Sequence, residues 1–159
     1  MDKKSKLIDL IRDFDTAMLI TNDNGRIVAR PMAIAKVDED GSIWFITDRD
    51  SGKVASLNED RRVGLTMQGS RQFVSLSGVA EIHDDRVKIA AMWKEMWKIW
   101  FPKGKDDPSI LLLKVDPSDG EYWDNSGLEG VKYLIETGRA YFKGERPVLN
   151  EAINASIKL

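Results

Sequence analysis

The sequence contains no cysteine. That excludes disulfides, thiolate metal sites and cysteine nucleophiles, and it fits a reducing compartment. There is one histidine, His83, too few for a histidine-rich metal site, so no metal centre is expected. The formal net charge is −2, which gives no global basic field to attract nucleic acid. No segment approaches the ~18 consecutive apolar residues of a membrane helix. The opening M-D-K-K-S-K-L-I-D-L has no apolar run of the kind a signal peptide needs. These absences predict a soluble, cytoplasmic protein that engages neither nucleic acid nor membrane. Also missing are a G-x-S-x-G elbow, a Walker loop and a G-x-G-x-x-G fingerprint. Acidic residues gather mainly in turns, so no carboxylate dyad and no catalytic residue can be named.

What is present suffices for one domain spanning residues 1–159, with 42% hydrophobic and 31% charged residues. Leu7, Ile8, Ile11 and Phe14 recur at helical spacing within Lys4–Phe14. Thr16–Asn22 and Arg26–Val37 read as strands joined through Asn24-Gly25, a pair that tolerates the positive φ of a tight hairpin. The second strand is apolar on both faces and is expected to be central. Pro31 within it lacks an N–H, which implies an edge, a bulge or a kink. A turn over Asp38–Gly41 leads to a strand ending at Asp48, then a short helix from Ser51 to Glu59. Arg62–Gly69 and Arg71–His83 are two further strands, and Gly78 suggests a bulge or bend. Arg86–Phe101 is expected as the longest helix, with Ile89, Met92, Trp93, Met96 and Trp100 on its apolar face and Trp97 beside it. Ile110–Val115 reads as a buried strand, Pro117–Gly120 as a turn and Glu121–Asp124 as a short strand. A helix over Leu128–Phe142 and an edge strand over Ala155–Leu159 complete the chain. Six or seven strands joined mostly by short turns predict a mainly β (α+β) architecture: an antiparallel barrel with packed helices.

Two features carry chemistry. Arg30 shares a side of its strand with Val28, Met32 and Ile34. A guanidinium among apolar neighbours must be paired or face a ligand; a structural ion pair and a ligand contact are equally open. The second feature is T-D-R-D-S-G-K (Thr47–Lys53), where a strand hands over to a helix. Free N–H groups and the positive dipole end gather at such a junction, and Ser51 and Lys53 add a donor and a charge. Ser51 as a plain helix cap and Lys53 as a solvated lysine are the simpler alternative. With Arg30 on the adjacent strand, the two features together suggest an anion pocket. Among the tryptophans, three lie at helical spacing and suit core or dimer packing, whereas Trp123 can stack on a planar ligand. His83 reads as a polar junction residue.

The segments A-M-L-I-T, R-I-V-A-R-P-M, W-F-I-T-D-R-D-S-G-K-V, Arg71–Val74, W-F-P-K-G-K-D-D-P and E-Y-W, in this order and spacing, resemble the FMN-binding split-barrel proteins. The likeness is to the general stress protein branch, relatives of pyridoxamine 5′-phosphate oxidase, and runs from about Ala17 to Asp124. It implies an antiparallel split barrel and a homodimer with FMN at the interface. It places Arg30, Pro31 and Met32 along the flavin, Ile46 and Thr47 near the ring and ribityl chain, and Ser51 and Lys53 at the phosphate. Gln72, from the partner subunit, and Trp123 would complete the site. The likeness implies a flavin-dependent oxidoreductase acting on an unidentified small molecule. The alternatives it leaves are a non-enzymatic flavin-binding stress or sensor protein, or a pyridoxamine 5′-phosphate oxidase. The oxidase carries an Arg-Lys pair in the phosphate loop where Gly52-Lys53 stand here. It has a lysine at the position of Ala35, and an Arg- and His-containing substrate segment where Asp124–Gly130 stand.

Overall fold

The structure is a computed structural model, described for residues 2–159. Its elements in chain order are α1 (Lys3–Arg12), β1 (Thr16–Asp23), β2 (Arg26–Val37), β3 (Ile43–Asp48), α2 (Gly52–Glu59), β4 (Arg62–Gln68), β5 (Gln72–His83), α3 (Arg86–Met92), a 3-10 helix (Glu95–Ile99), β6 (Ile110–Asp124), α4 (Gly127–Lys143) and β7 (Asn154–Lys158). All strand pairings are antiparallel, in the order β3-β2-β1-β4-β5-β6-β7. A further β3–β6 pairing closes six strands into a barrel and leaves β7 outside on β6. This is the antiparallel split barrel with packed helices that the sequence predicts.

Period-2 alternation fills the barrel. Leu19, Phe45, Leu65, Leu76 and Leu113 point inward and are at most 2% exposed, each contributing about 1.5–3 kcal/mol by leaving water. Leu7 and Ile11 of α1 and Leu57 of α2 join the same core. A second apolar cluster lies outside the barrel wall, where Ile89, Trp97 and Phe101 cover Trp44, Ile46, Ile110 and Leu112.

The hairpin turn forms as expected: Asn24 and Gly25 have φ of 51° and 87°, and Gly25 N–H donates to Asn22 Oδ1 at 2.7 Å. Pro31 lies opposite Met18 of β1, in the part of β2 that β3 does not pair, because the β2–β3 ladder begins at Ile34. The missing N–H therefore falls where one side of the strand is free. His83 ends β5, its ring 5.2 Å from that of Trp44.

Three expectations need correction. The long helix over Arg86–Phe101 is interrupted: α3 ends at Met92, Trp93 adopts φ −54° and ψ 134°, and a 3-10 helix follows. The interruption turns Trp97 into the second cluster at 2% exposure and turns Met96 and Trp100 outward, at 72% and 57%. The longest helix is instead the 17-residue α4. Pro117–Gly120 is not a turn either; β6 runs unbroken for 15 residues.

The reason lies in β5. The β5–β6 register shifts between Ser77 and Gly78, so Ser118 is passed over and Pro117 stands opposite Gly78. A Cβ on Gly78 would sit 2.3 Å from the Asp116 carbonyl oxygen and 2.7 Å from Pro117 Cα. Only glycine permits that approach. Gly78→Ala is expected to destabilise the barrel by about 3 kcal/mol through backbone overpacking. The neighbouring exposed Ser77→Ala should change the urea midpoint by little, and equal midpoints for the two variants would refute the close-approach argument.

Candidate functional site

The site begins with the inward alternation of two strands. Ala17, Leu19 and Thr21 follow one another on the core side of β1, and Met32 and Ile34 lie on the core side of β2 with Arg30 two residues before them. Near the barrel end the apolar pattern gives way to Thr21 and Arg30. Thr21 is 1% exposed, and its Oγ1 accepts from Arg30 Nη1 at 3.0 Å. On β3, Thr47 is 3% exposed, and its Oγ1 accepts from Lys53 Nζ at 2.9 Å. Ser51 Oγ stands 3.5 Å from the same Thr47 oxygen. Ser51 precedes α2 but its side chain makes no capping hydrogen bond, so its hydroxyl faces the cluster instead.

The electrostatics are those of two cations brought together on neutral hydroxyls. Among the described residues, neither Arg30 nor Lys53 has a carboxylate within ion-pair distance. Burial lowers the Lys53 ammonium below its usual 10.5, the Arg30 charge lowers it further, and Asp48 opposes both only in part. Two cations held together by neutral hydroxyls repel one another. A bound anion removes that penalty, and a phosphate offers acceptors to both cations at once. Other cations nearby are already engaged. Lys36 pairs with Asp38 at 2.6 Å, and Arg49 with Asp84 at 2.6 Å. The structural ion pair left open for Arg30 on sequence grounds is absent among the described residues.

The remaining expected residues divide into two groups. Pro31 is exposed beside the cluster, on the free side of β2. The Met32 and Ile46 side chains are buried, at 6% and 7% exposure, in the barrel core and the second cluster respectively. Only their main chain is available to a ligand. Gln72 and Trp123 lie elsewhere. Trp123 is opposite Phe73, and Gln72 is opposite Asp124. Leu111, the β6 partner of Thr47, precedes Trp123 by twelve residues, about 40 Å of strand path at ~3.3 Å per residue.

Gln72 Nε2 lies 3.4 Å from Ser126 Oγ as donor. Ser126 in turn binds Asp124 Oδ1 through its N–H, at 3.0 Å, and its hydroxyl. Burial raises the Asp124 carboxyl, but Ser126 and Lys6, 3.0 Å away, outweigh it and hold the pKa low. The expected residues therefore fall in two separate groups: the cationic cluster with its free β2 side, and the Gln72–Trp123–Ser126 end of β5 and β6. Thr21 and Ser126 were not foreseen. Thr21 had a visible signal, a polar residue continuing an inward apolar alternation. Ser126 had none. No cluster of three His, Cys, Asp or Glu able to hold a metal occurs among the described residues. No helix of the described residues is long and apolar enough to cross a membrane.

Known proteins resemble this chain over most of its length. The family model described as pyridoxamine 5′-phosphate oxidase like matches residues 2–148. General stress protein 26 of Bacillus subtilis (strain 168) is 26% identical over 124 residues, which is 74% of this chain and 86% of that protein. The crystal structure of a general stress protein 26 from Jannaschia sp. CCS1 is 26% identical, with a TM-score of 0.75 over 97% of this chain and 96% of that one. A general stress FMN/FAD binding protein from Xanthomonas citri is 28% identical, with a TM-score of 0.66, covering 78% and 89% of the two chains.

Proposed function

The chain belongs to the pyridoxamine 5′-phosphate oxidase-like family, and from that premise we propose that it binds FMN as a homodimer and acts as a flavin-dependent oxidoreductase. The observation that carries the reading is the carboxylate-free pair Arg30 and Lys53, each donating to a buried threonine hydroxyl. The FMN phosphate supplies the acceptors this pair lacks, and Ser51 at the uncapped start of α2 adds a donor. The main chain of Pro31, Met32 and Ile46, with Thr47, borders the ring and ribityl chain. Gln72 and Trp123 come from the second subunit, because they lie too far along β5 and β6 to serve their own chain's cluster. FMN, when bound, supplies hydride or electron transfer at its ring, while the chain binds, orients and shields it. Asp124–Gly130 contains no arginine or histidine to hold a pyridoxal phosphate, and its first residues are tied into an internal turn. Oxidation of pyridoxamine 5′-phosphate is therefore not the activity supported.

The test is a titration of purified protein with FMN, FAD and haem, followed by NAD(P)H turnover. FMN is expected to bind in preference to the others and to perturb the flavin spectrum. Protein that stays colourless with FMN sinks the flavin reading. A complex reduced and reoxidised no faster than free FMN sinks the oxidoreductase and leaves a flavin store or sensor.

The depressed Lys53 pKa gives a pH dependence. A phosphate dianion favours the ammonium, so the complex holds the Lys53 proton more tightly than the free protein, and binding above the lowered pKa takes up a proton. FMN affinity should therefore fall as pH rises through the free protein's Lys53 pKa, which lies below 10.5. Riboflavin, which has no phosphate, should show no such decline as pH rises through that point. Parallel FMN and riboflavin profiles would remove Lys53 from the phosphate site.

A further inference from the structure

Helix α4 buries small residues and leaves its large apolar ones exposed. Near 100° per residue, its positions separate into three arcs. Gly130, Tyr133, Thr137 and Ala140 face inward, and Gly130 and Ala140 are buried. Glu129, Lys132, Glu136, Arg139 and Lys143 form a charged arc. Leu128, Val131, Leu134, Ile135, Tyr141 and Phe142 form the third, with exposures of 80%, 49%, 71%, 53%, 81% and 90%. A helix normally buries its large apolar stripe and exposes small or polar residues; α4 does the reverse. At its start the helix is tied to the preceding loop, since a Cβ on Gly130 would lie 1.9 Å from the carbonyl oxygen of Asn125, two residues before α4. The large apolar stripe of the helix stands free.

A second exposed apolar patch lies on the 3-10 helix. Met96, Ile99 and Trp100 are 72%, 77% and 57% exposed, while Trp97 between them is buried. Each patch adjoins a different half-site. The 3-10 segment covers Ile46 through Trp97, and Lys94 Nζ reaches the Ile34 carbonyl at 3.5 Å, which places it beside β2 just past Met32. Helix α4 begins at Gly127, immediately after Ser126, whose Oγ meets Gln72.

From these placements, and resting on the two-chain flavin site proposed above, we infer that α4 packs its apolar stripe on the Met96–Ile99–Trp100 patch of a second copy of this chain. Because each patch adjoins a different half-site, joining the Arg30 half-site of one subunit to the Gln72 half-site of another brings α4 of one copy toward the 3-10 patch of the other. The contact is isologous: each subunit gives a helix and a patch, and the two-fold axis repeats it. Six large side chains meeting three, twice over, is on the scale of the ~800 Å² per partner that a standard interface buries. The charged arc carries both signs, with Glu129 and Lys132 paired at 2.6 Å, so it lacks the basic face that an anionic membrane selects. In the dimer α4 forms the outer wall of the flavin cleft.

The experiment uses the full chain with Leu134→p-benzoyl-L-phenylalanine, mixed one to one as unlabelled and 15N-labelled protein with FMN, then irradiated and mapped by mass spectrometry. Mixed-isotope covalent dimers joined at Met96–Trp100 are expected. Links within one chain, links to another face of the second copy, or loss of the link in favour of added lipid vesicles would overturn the inference. Ile99→Glu provides an independent reading in sedimentation: it should raise the dimer dissociation constant at least tenfold, and an unchanged constant also counts against the contact. FMN binding separates the two ideas. Flavin bound by a dimer whose cross-links fall elsewhere refutes the α4 contact alone. A dimer cross-linked at Met96–Trp100 that ignores FMN refutes the flavin reading alone.

Discussion

Arg30→Ala is expected to lower FMN affinity about 100-fold while changing riboflavin affinity less than threefold. A hydrogen bond to a charged group is worth about 1.5–3 kcal/mol, and the upper half of that range corresponds to about 40- to 140-fold. Arg30 belongs at that end because its guanidinium has no carboxylate to compete for it and its Nη1 is already fixed by a buried hydroxyl. Little ordering entropy remains to be lost on binding. Lys53→Ala should cost less, about tenfold, because burial and Arg30 have already weakened its hold on a proton. The double variant should lose less than the product of the two, since both cations meet one phosphate.

The effect on the free protein runs the other way. Removing Arg30 relieves its repulsion of Lys53, so the flavin-free variant should melt no lower than the parent. A site whose own charges oppose one another until the ligand arrives shows this opposition of stability and function. A variant that melts lower and binds FMN normally would mean that Arg30 is a structural residue and that the phosphate sits elsewhere.

Much of this site was legible because its parts are local. Asn24-Gly25 fixes the β1–β2 hairpin, the turn over Asp38–Gly41 returns the chain so that β3 pairs with β2, and the Thr47–Lys53 segment is continuous, so Arg30 and Lys53 fall together once both pairings form. Gly78 announced an irregularity, and the structure places one there. What could not be read depends on contacts between distant segments. Pro117 looks like a turn former until it is known to stand opposite the Gly78 bulge, where a strand tolerates the missing N–H. The break after Met92 has no proline or glycine to signal it; helical propensity continues through it, and the burial of Trp97 against Trp44 and Ile46 decides otherwise. The split between the two half-sites was invisible to spacing. Family resemblance put Gln72 at the flavin from the partner subunit, with Trp123 at the same site, and the strand register of a single chain keeps both far from Lys53 along β6.

Trp97→Ala is expected to cost about 3–5 kcal/mol, the usual range for deleting a fully enclosed tryptophan. Trp97 is 2% exposed. Its ring meets Trp93 edge-on at 5.8 Å and lies 5.6 Å beneath Lys94 Nζ, so several neighbours lose their packing together. The residues around it on the 3-10 helix give the internal control. Trp100→Ala removes the same side chain from a 57% exposed position and should shift the urea midpoint of the monomeric unit by no more than about 0.5 kcal/mol equivalent. The contrast between two tryptophans three residues apart follows from the helix break. In the continuous helix suggested by the sequence, Trp93 and Trp100 would share the buried stripe and Trp97 would flank it.

The loss at Trp97 should also reach the cofactor. Ile46 is held from outside by Trp97, and its main chain borders the proposed ring position, so Trp97→Ala should weaken FMN and riboflavin alike, unlike Arg30→Ala, which spares riboflavin. Equal stability losses for Trp97→Ala and Trp100→Ala would mean that the 3-10 segment is not anchored by Trp97, and the outward placement of Met96, Ile99 and Trp100 would lose its physical cause.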